Sequence, residues 1–180
     1  MLIVVTGGSG SGKSEYAENL ACKLAGDAKK YYIATMQPYG TEGQKRIMRH
    51  HKLRAGKGFE TIEQYQQVAQ ALQEKEGTFT KQATVLMECL SNLLANELFE
   101  EGGQPDSVMQ DCLTLYRQCK HLIIVTNEVF EDGCQYPEET LEYIRRLGEL
   151  NTGLAARADI VVEVVYSIPV FWKGEKQCID

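Results

Sequence analysis

The residues in this 180-residue chain best suited to chemistry form one run of eight, Gly7-Gly8-Ser9-Gly10-Ser11-Gly12-Lys13-Ser14. The run satisfies GxxxxGK[ST], directly after the apolar stretch 2–5 and directly before a helical pattern, the context a phosphate-binding loop requires. Its glycines let successive backbone N–H groups turn inward on phosphate oxygens, and the following helix aims its positive end at the same anion. Lys13 is placed to reach the β- and γ-phosphates of a nucleoside triphosphate, and the Ser14 hydroxyl to ligate Mg²⁺. Such a metal needs an acidic group at the end of a neighbouring strand. Glu88, closing the apolar stretch 83–87, is the candidate, so Ser14 and Glu88 form the expected metal pair. Asn127 and Glu128 close the next apolar stretch, on the carboxyl edge where open α/β sheets bind ligands.

A second concentration of chemistry is Arg46-Ile47-Met48-Arg49-His50-His51-Lys52-Leu53-Arg54. On a helix, Arg46, His50 and Arg54 stack on one face at i, i+4 and i+8. Cations on either side disfavour the imidazolium form, leaving His50 neutral with a free lone pair that can attack phosphorus or take a proton. From spacing alone, a solvent-facing basic helix with idle histidines is the plainer reading. The third histidine, His121, begins an apolar stretch and reads as structural.

These groups need a scaffold to hold them. Five short apolar runs, at 2–5, 31–34, 84–87, 122–125 and 160–165, alternate with helical patterns, as in a largely parallel sheet covered by helices. Ala17, Leu20, Ala21 and Leu24 mark a helix stopped at Gly26. Leu90, Leu93, Leu94 and Leu98 mark another, ended by Gly102-Gly103, and Pro137 opens a long one running through Ala156. Thr61 with Gln64, and Ser107 with Gln110, have capping-box spacing before further helical patterns. The polar, basic stretch 36–60 reads as an excursion over the sheet edge. The expected fold is α/β, a P-loop NTPase-type, largely parallel sheet flanked by helices, with residues 1–180 forming a single nucleotide-binding domain.

Composition narrows the class. With 43% apolar and 24% charged residues the chain is that of a folded globular protein. A net charge of −6 and a pI near 5.2 argue against nucleic-acid binding along a phosphate backbone, while leaving room for a local anion site. The six cysteines, Cys22, Cys89, Cys112, Cys119, Cys134 and Cys178, have no metal-ligand spacing and read as reduced core thiols. No apolar run approaches the roughly 18 residues of a membrane helix, so the expectation is a cytoplasmic protein without a membrane span.

Taken together, these pieces resemble the adenosylcobinamide kinase / adenosylcobinamide-phosphate guanylyltransferase family of cobalamin biosynthesis. The resemblance runs from residue 2 to about residue 169. It is carried in order by Thr6-Gly7-Gly8 with Ser11-Gly12-Lys13-Ser14, Tyr32-Ile33-Ala34-Thr35, Arg46-Ile47 with His50 and Arg54, and Thr61 with Glu63. Leu86-Met87-Glu88-Cys89-Leu90, Asn92-Leu93-Leu94, Thr126-Asn127-Glu128-Val129 and Pro137-Glu138 continue it. The P-loop is common to many proteins; the RIxxHxxxR segment after Tyr-Ile-Ala-Thr is far more specific.

The resemblance implies two steps, phosphorylation of adenosylcobinamide by ATP or GTP, then transfer of GMP from GTP through an enzyme histidine to adenosylcobinamide phosphate. The matching histidine is His50, with His51 the second choice. By the same matching, Ala34, Thr35, Met36, His51, Lys52, Leu53, Arg54, Glu63 and Glu88 contact the guanine nucleotide, beside residues 7–14 and Arg46. The resemblance further implies Mg²⁺ as cofactor, no nucleic-acid partner and a homo-oligomer, a trimer being one option. The chain departs from the family pattern at Ser9-Gly10, at Gly58-Phe59 and across residues 130–136. A P-loop kinase of another small molecule, a family member with one activity lost, and a nucleotide-sensing module therefore stand as alternatives.

Overall fold

The computed structural model describes residues 1–38, 40, 48, 52, 54–72, 81–129 and 135–175. Its centre is a seven-stranded sheet of β1 (Leu2–Thr6), β2 (Lys30–Ala34), β3 (Glu60–Glu63), β4 (Thr84–Glu88), β5 (His121–Val125), β6 (Ile160–Val165) and β7 (Ile168–Lys173). The strand order is β3-β2-β4-β5-β1-β6-β7, parallel throughout except that β7 returns antiparallel to β6. Four helices among the described residues cover it: α1 (Lys13–Ala25), α2 (Leu90–Phe99), α3 (Val108–Arg117) and α4 (Glu138–Arg157).

The central strands are continuous apolar runs because both of their faces are buried. In β1 the side chains alternate, with Ile3 and Val5 packing beneath Ala17, Leu20 and Ala21 of α1, and Leu2 and Val4 packing into the opposite core with Leu93, Leu94, Leu115 and Leu147. Leu93 and Leu94 are completely buried, and each contributes roughly 1.5–3 kcal/mol by leaving water. So α1 lies on one face, while α2, α3 and α4 supply the other core.

The five apolar runs are β1, β2, β4, β5 and β6. The two strands that sequence patterning misses, β3 and β7, are the sheet edges. β3 buries only Ile62 and carries no apolar run; β7 is largely apolar in sequence but, as an edge strand, leaves Ile168 and Trp172 mostly exposed. Thr61 lies in β3, opposite Tyr32, so the capping-box spacing of Thr61 and Gln64 marks a strand instead of a helix. Parallel pairing with β2 satisfies that backbone, and Gln64 N–H donates to the Ala34 carbonyl at 3.0 Å. Ser107 does stand at the start of α3, but its hydroxyl bonds the Gln104 carbonyl and Asp111 at 3.0 Å each, and Gln110 turns to Thr114. The box spacing finds that helix start without the reciprocal bonds. Gly26 does cap α1, and Pro137 immediately precedes α4.

Cys89, Cys112 and Cys119 are buried and Cys22 is half-buried, all four as free thiols. Among the described residues no helix is long and apolar enough to cross a membrane.

Candidate active site

Every parallel strand ends its carboxyl terminus on the same edge, and the site is built there. After β1 the chain turns through the loop into α1, whose N-cap Gly12 has φ 92° and makes no side-chain cap. A Cβ at Gly12 would meet the Ser167 hydroxyl at 2.5 Å, so this position excludes side chains by space as well as by φ. The first N–H groups of α1 are thus left for an anion. Ser167, in the β6–β7 turn, donates its N–H to the Ser11 carbonyl at 2.7 Å and pins the loop from its far side.

Lys13 is almost buried, and its Nζ donates to the Gly8 carbonyl at 2.9 Å, folding the lysine back over the loop. Burial lowers its pKa, and the charges of Cys89 and Glu88 oppose that shift. The Ser14 hydroxyl donates to one oxygen of Glu88, and the Tyr32 hydroxyl donates to the other at 3.0 Å. β2 and β4 are direct neighbours in register, which is why Tyr32 and Glu88 can meet above the end of β4. Burial first, then the Glu88 carboxylate, holds the Tyr32 phenol well above its ordinary pKa.

Over the Tyr32 ring lies the Arg54 guanidinium, 3.5 Å from the centroid, a cation–π contact. Arg54 is only 7% exposed, and its Nη1 is buried with no hydrogen-bond partner among the described residues. A buried guanidinium with an unused donor suits an incoming anion, because an unmade bond to a charged group is costly.

These groups surround a cleft of about 700 Å³, ample for a nucleoside triphosphate. Ser9, Gly10, Ser11, Gly12, Lys13 and Ser14 form one side; Tyr32, Ala34, Met36, Arg54, Glu63 and Tyr65 form another, with Glu88, Cys89, Asn92, Asn127 and Glu128 between them. Glu63 accepts from the Tyr65 hydroxyl at 2.9 Å.

Of the expected nucleotide contacts, Gly7 and Gly8 do not line the cleft; Gly8 serves through its carbonyl. Thr35 is fully buried: its hydroxyl accepts from Cys89 N–H at 2.7 Å and donates to the Cys89 carbonyl at 2.8 Å, tying the ends of β2 and β4 together. Lys52 is exposed and outside the lining. Arg46, His50, His51 and Leu53 lie outside the described residues. Tyr65 and Ser167 line the cleft without having been singled out from sequence. Tyr65 follows the edge strand β3 and Ser167 lies in the turn leading into the edge strand β7, where no local pattern betrays a site.

Ser14 and Glu88 present a hydroxyl and a carboxylate to one point, a hard oxygen donor set that fits Mg²⁺. Among the described residues there is no cluster of three or more His, Cys, Asp or Glu able to hold a metal.

A protein-family model, cobinamide kinase / cobinamide phosphate guanyltransferase, matches residues 3–171. The chain is 32% identical over 187 residues to the bifunctional adenosylcobalamin biosynthesis protein CobU of Escherichia coli K12, covering 94% of this chain and 98% of that protein. It is 33% identical, at the same coverage, to the protein of that name from Salmonella typhimurium. Bifunctional adenosylcobalamin biosynthesis protein CobP of Pseudomonas aeruginosa is 29% identical, with 96% of this chain and 97% of that protein covered. Among solved structures, the flagellar accessory protein FlaH from Methanocaldococcus jannaschii superposes with a TM-score of 0.52 at 17% identity, covering 97% of this chain and 78% of that one. The RadB recombinase gives 0.50 at 15% identity, covering 90% and 73%. At such identities these two likenesses speak for the fold alone.

Proposed function

This chain belongs to the cobinamide kinase / cobinamide phosphate guanyltransferase family, and we propose that this cleft serves both reactions, with GMP passing through His50. It is a transferase of cobalamin biosynthesis. The observation that carries the detailed reading is the convergence on one cleft of the P-loop, the Ser14–Glu88–Tyr32 hydrogen bonds and the Arg54 guanidinium, whose Nη1 has no hydrogen-bond partner among the described residues.

In the kinase step the aminopropanol hydroxyl of adenosylcobinamide attacks the γ-phosphorus of ATP or GTP, the bond to the β-phosphate oxygen breaks, and the nucleoside diphosphate leaves. The residues at work are Lys13 and the uncapped N–H groups of α1, which hold the β- and γ-phosphates where charge builds up. Mg²⁺, held through Ser14 and Glu88, would supply charge neutralisation on the phosphate oxygens.

In the second reaction a ring nitrogen of His50 attacks the α-phosphorus of GTP and pyrophosphate leaves, giving a P–N bond to GMP. A phosphate oxygen of adenosylcobinamide phosphate then attacks that phosphorus and the histidine departs unchanged. A neutral imidazole is required, and the cations Arg46, Arg49, Lys52 and Arg54 in its own segment favour it. Arg54, four residues after His50, offers a phosphate its Nη1, which has no hydrogen-bond partner among the described residues, while Ala34, Met36 and Glu63 face the nucleoside. We further take the protein to act in the cytoplasm as a homo-oligomer, by similarity to its family.

The test is the intact mass of the protein after incubation with GTP and Mg²⁺. A GMP adduct, acid-labile, lost in His50→Ala and retained in His51→Ala, is the expected result. Native protein that binds GTP yet forms no adduct overturns the covalent route.

A further inference from the structure

Glu18 is the one completely buried acidic side chain among the described residues, and it does not line the cleft. It stands on α1 one turn beyond Ser14, so the helix that carries the metal-facing hydroxyl also carries this carboxylate on the same side. One carboxylate oxygen accepts from Lys57 Nζ at 2.8 Å, and the other is buried without a hydrogen-bond partner among the described residues. Lys57 is gripped twice by α1, since Cys22 Sγ also approaches its carbonyl at 3.8 Å. Lys57 N–H in turn donates to the Arg54 carbonyl at 3.0 Å, closing a tight turn between the two cations.

Burial raises the pKa of the Glu18 carboxyl, while Lys57 and Arg54 hold it down, so its charge is felt at both cations. Leaving a carboxylate inside a helix–sheet interface is expensive unless it is paired. Here Lys57 takes one oxygen of Glu18, and Arg54 is stacked on Tyr32 with its Nη1 uncommitted among the described residues. Had Glu18 bonded Arg54 directly, that donor would be consumed. The lysine therefore keeps the arginine available.

We propose that Glu18 is a positioning residue for the nucleotide: through Lys57 it ties the Arg54–Lys57 turn to the P-loop helix, so that Arg54 meets a nucleotide phosphate already aimed and desolvated. The proposal rests on the reading of Arg54 as a nucleotide contact, and it is tested by binding alone, so a failure of the histidine–GMP route leaves it open to judgement on its own.

The experiment is calorimetric titration of the full chain with a non-hydrolysable GTP analogue and magnesium, in the wild type, Glu18→Gln, Arg54→Met and the double variant, with melting temperatures recorded alongside. Glu18→Gln keeps the side chain's size and an acceptor for Lys57 but removes the charge, and affinity is expected to fall about tenfold. Because Glu18 acts through Arg54, the double variant binds as Arg54→Met does, a non-additive cycle. Glu18→Asp, with one methylene less to hold Lys57, shows an intermediate loss and serves where Glu18→Gln melts too low to titrate. Wild-type affinity in folded Glu18→Gln, or losses that multiply in the double variant, overturns the proposal.

Discussion

The two sides of the cleft are built from different materials. On the P-loop side, residues 9–14 offer backbone N–H groups and one folded-back lysine; on the other, Tyr32, Arg54, Glu63 and Tyr65 offer side chains brought from separate parts of the chain. A backbone anion site is made within a single strand–loop–helix unit, and glycine is its only strict requirement. The side-chain wall holds only if β2, β3 and β4 keep their parallel register, because a slip of one residue would turn Tyr32 away from Glu88. The contrast suggests a division of labour in which the loop grips phosphates of any nucleotide and the wall aims them.

The first way to break that division is Lys13→Ala. It removes the one side-chain cation of the P-loop, and adenosylcobinamide phosphorylation is expected to fall by at least about a hundredfold in steady-state assays. Near-normal turnover would mean the loop does not hold the transferring phosphate.

The wall is sharpened by a graded pair at Tyr32. Tyr32→Phe removes the 3.0 Å bond to Glu88 while keeping the ring beneath Arg54, and about 1 kcal/mol, or roughly fivefold in kcat/KM for GTP, is the expected loss. Tyr32→Leu also takes away the π-face and costs a further threefold or so. Equal effects for the two variants would show that the stacked arginine contributes nothing to GTP use.

The smallest effect probes whether damage stays on its own side of the sheet. His121 starts β5, far along the strands from the cleft edge, with its Nδ1 buried and unpartnered among the described residues. Burial, the N-terminal amine and Lys120 lower its pKa from 6.5 to about 4. The folded state thus favours neutral imidazole, and its contribution to stability is complete above pH 6.5, declines as pH falls from there, and is lost below about 4. Urea unfolding between pH 7 and pH 4.5 is expected to show a shallower decline in His121→Gln than in the wild type, with GTP binding at pH 7 unchanged. A matching pH slope in both proteins would remove His121 as its source.

How much of this was legible depended on how local each feature is. The interior strands announce themselves through residues such as Val4, Ile33 and Ile123, which are buried on two faces and so must be apolar. The edge strand β3 did not, since it buries only Ile62, and Thr61 with Gln64 imitates a helix start. Thr35 shows the same limit inside the site. Matching by family pattern put it against the nucleotide, yet the closeness of β2 to β4 turns its hydroxyl onto the Cys89 backbone. Glu18 carried no signal at all, because a glutamate in the second turn of an amphipathic helix reads as a solvated residue until the chain around Lys57 is laid over it.

By itself the sequence determined the phosphate-loop motif, the alternation that makes a parallel sheet, and the family. Those follow from glycine conformation, apolar periodicity and adjacency within short segments. Only the tertiary structure decided that Arg54 rests on Tyr32, that Ser167 braces Ser11, and that Lys57 reaches Glu18. These contacts join residues many positions apart, and their partners are chosen by strand order and register, which no local pattern encodes.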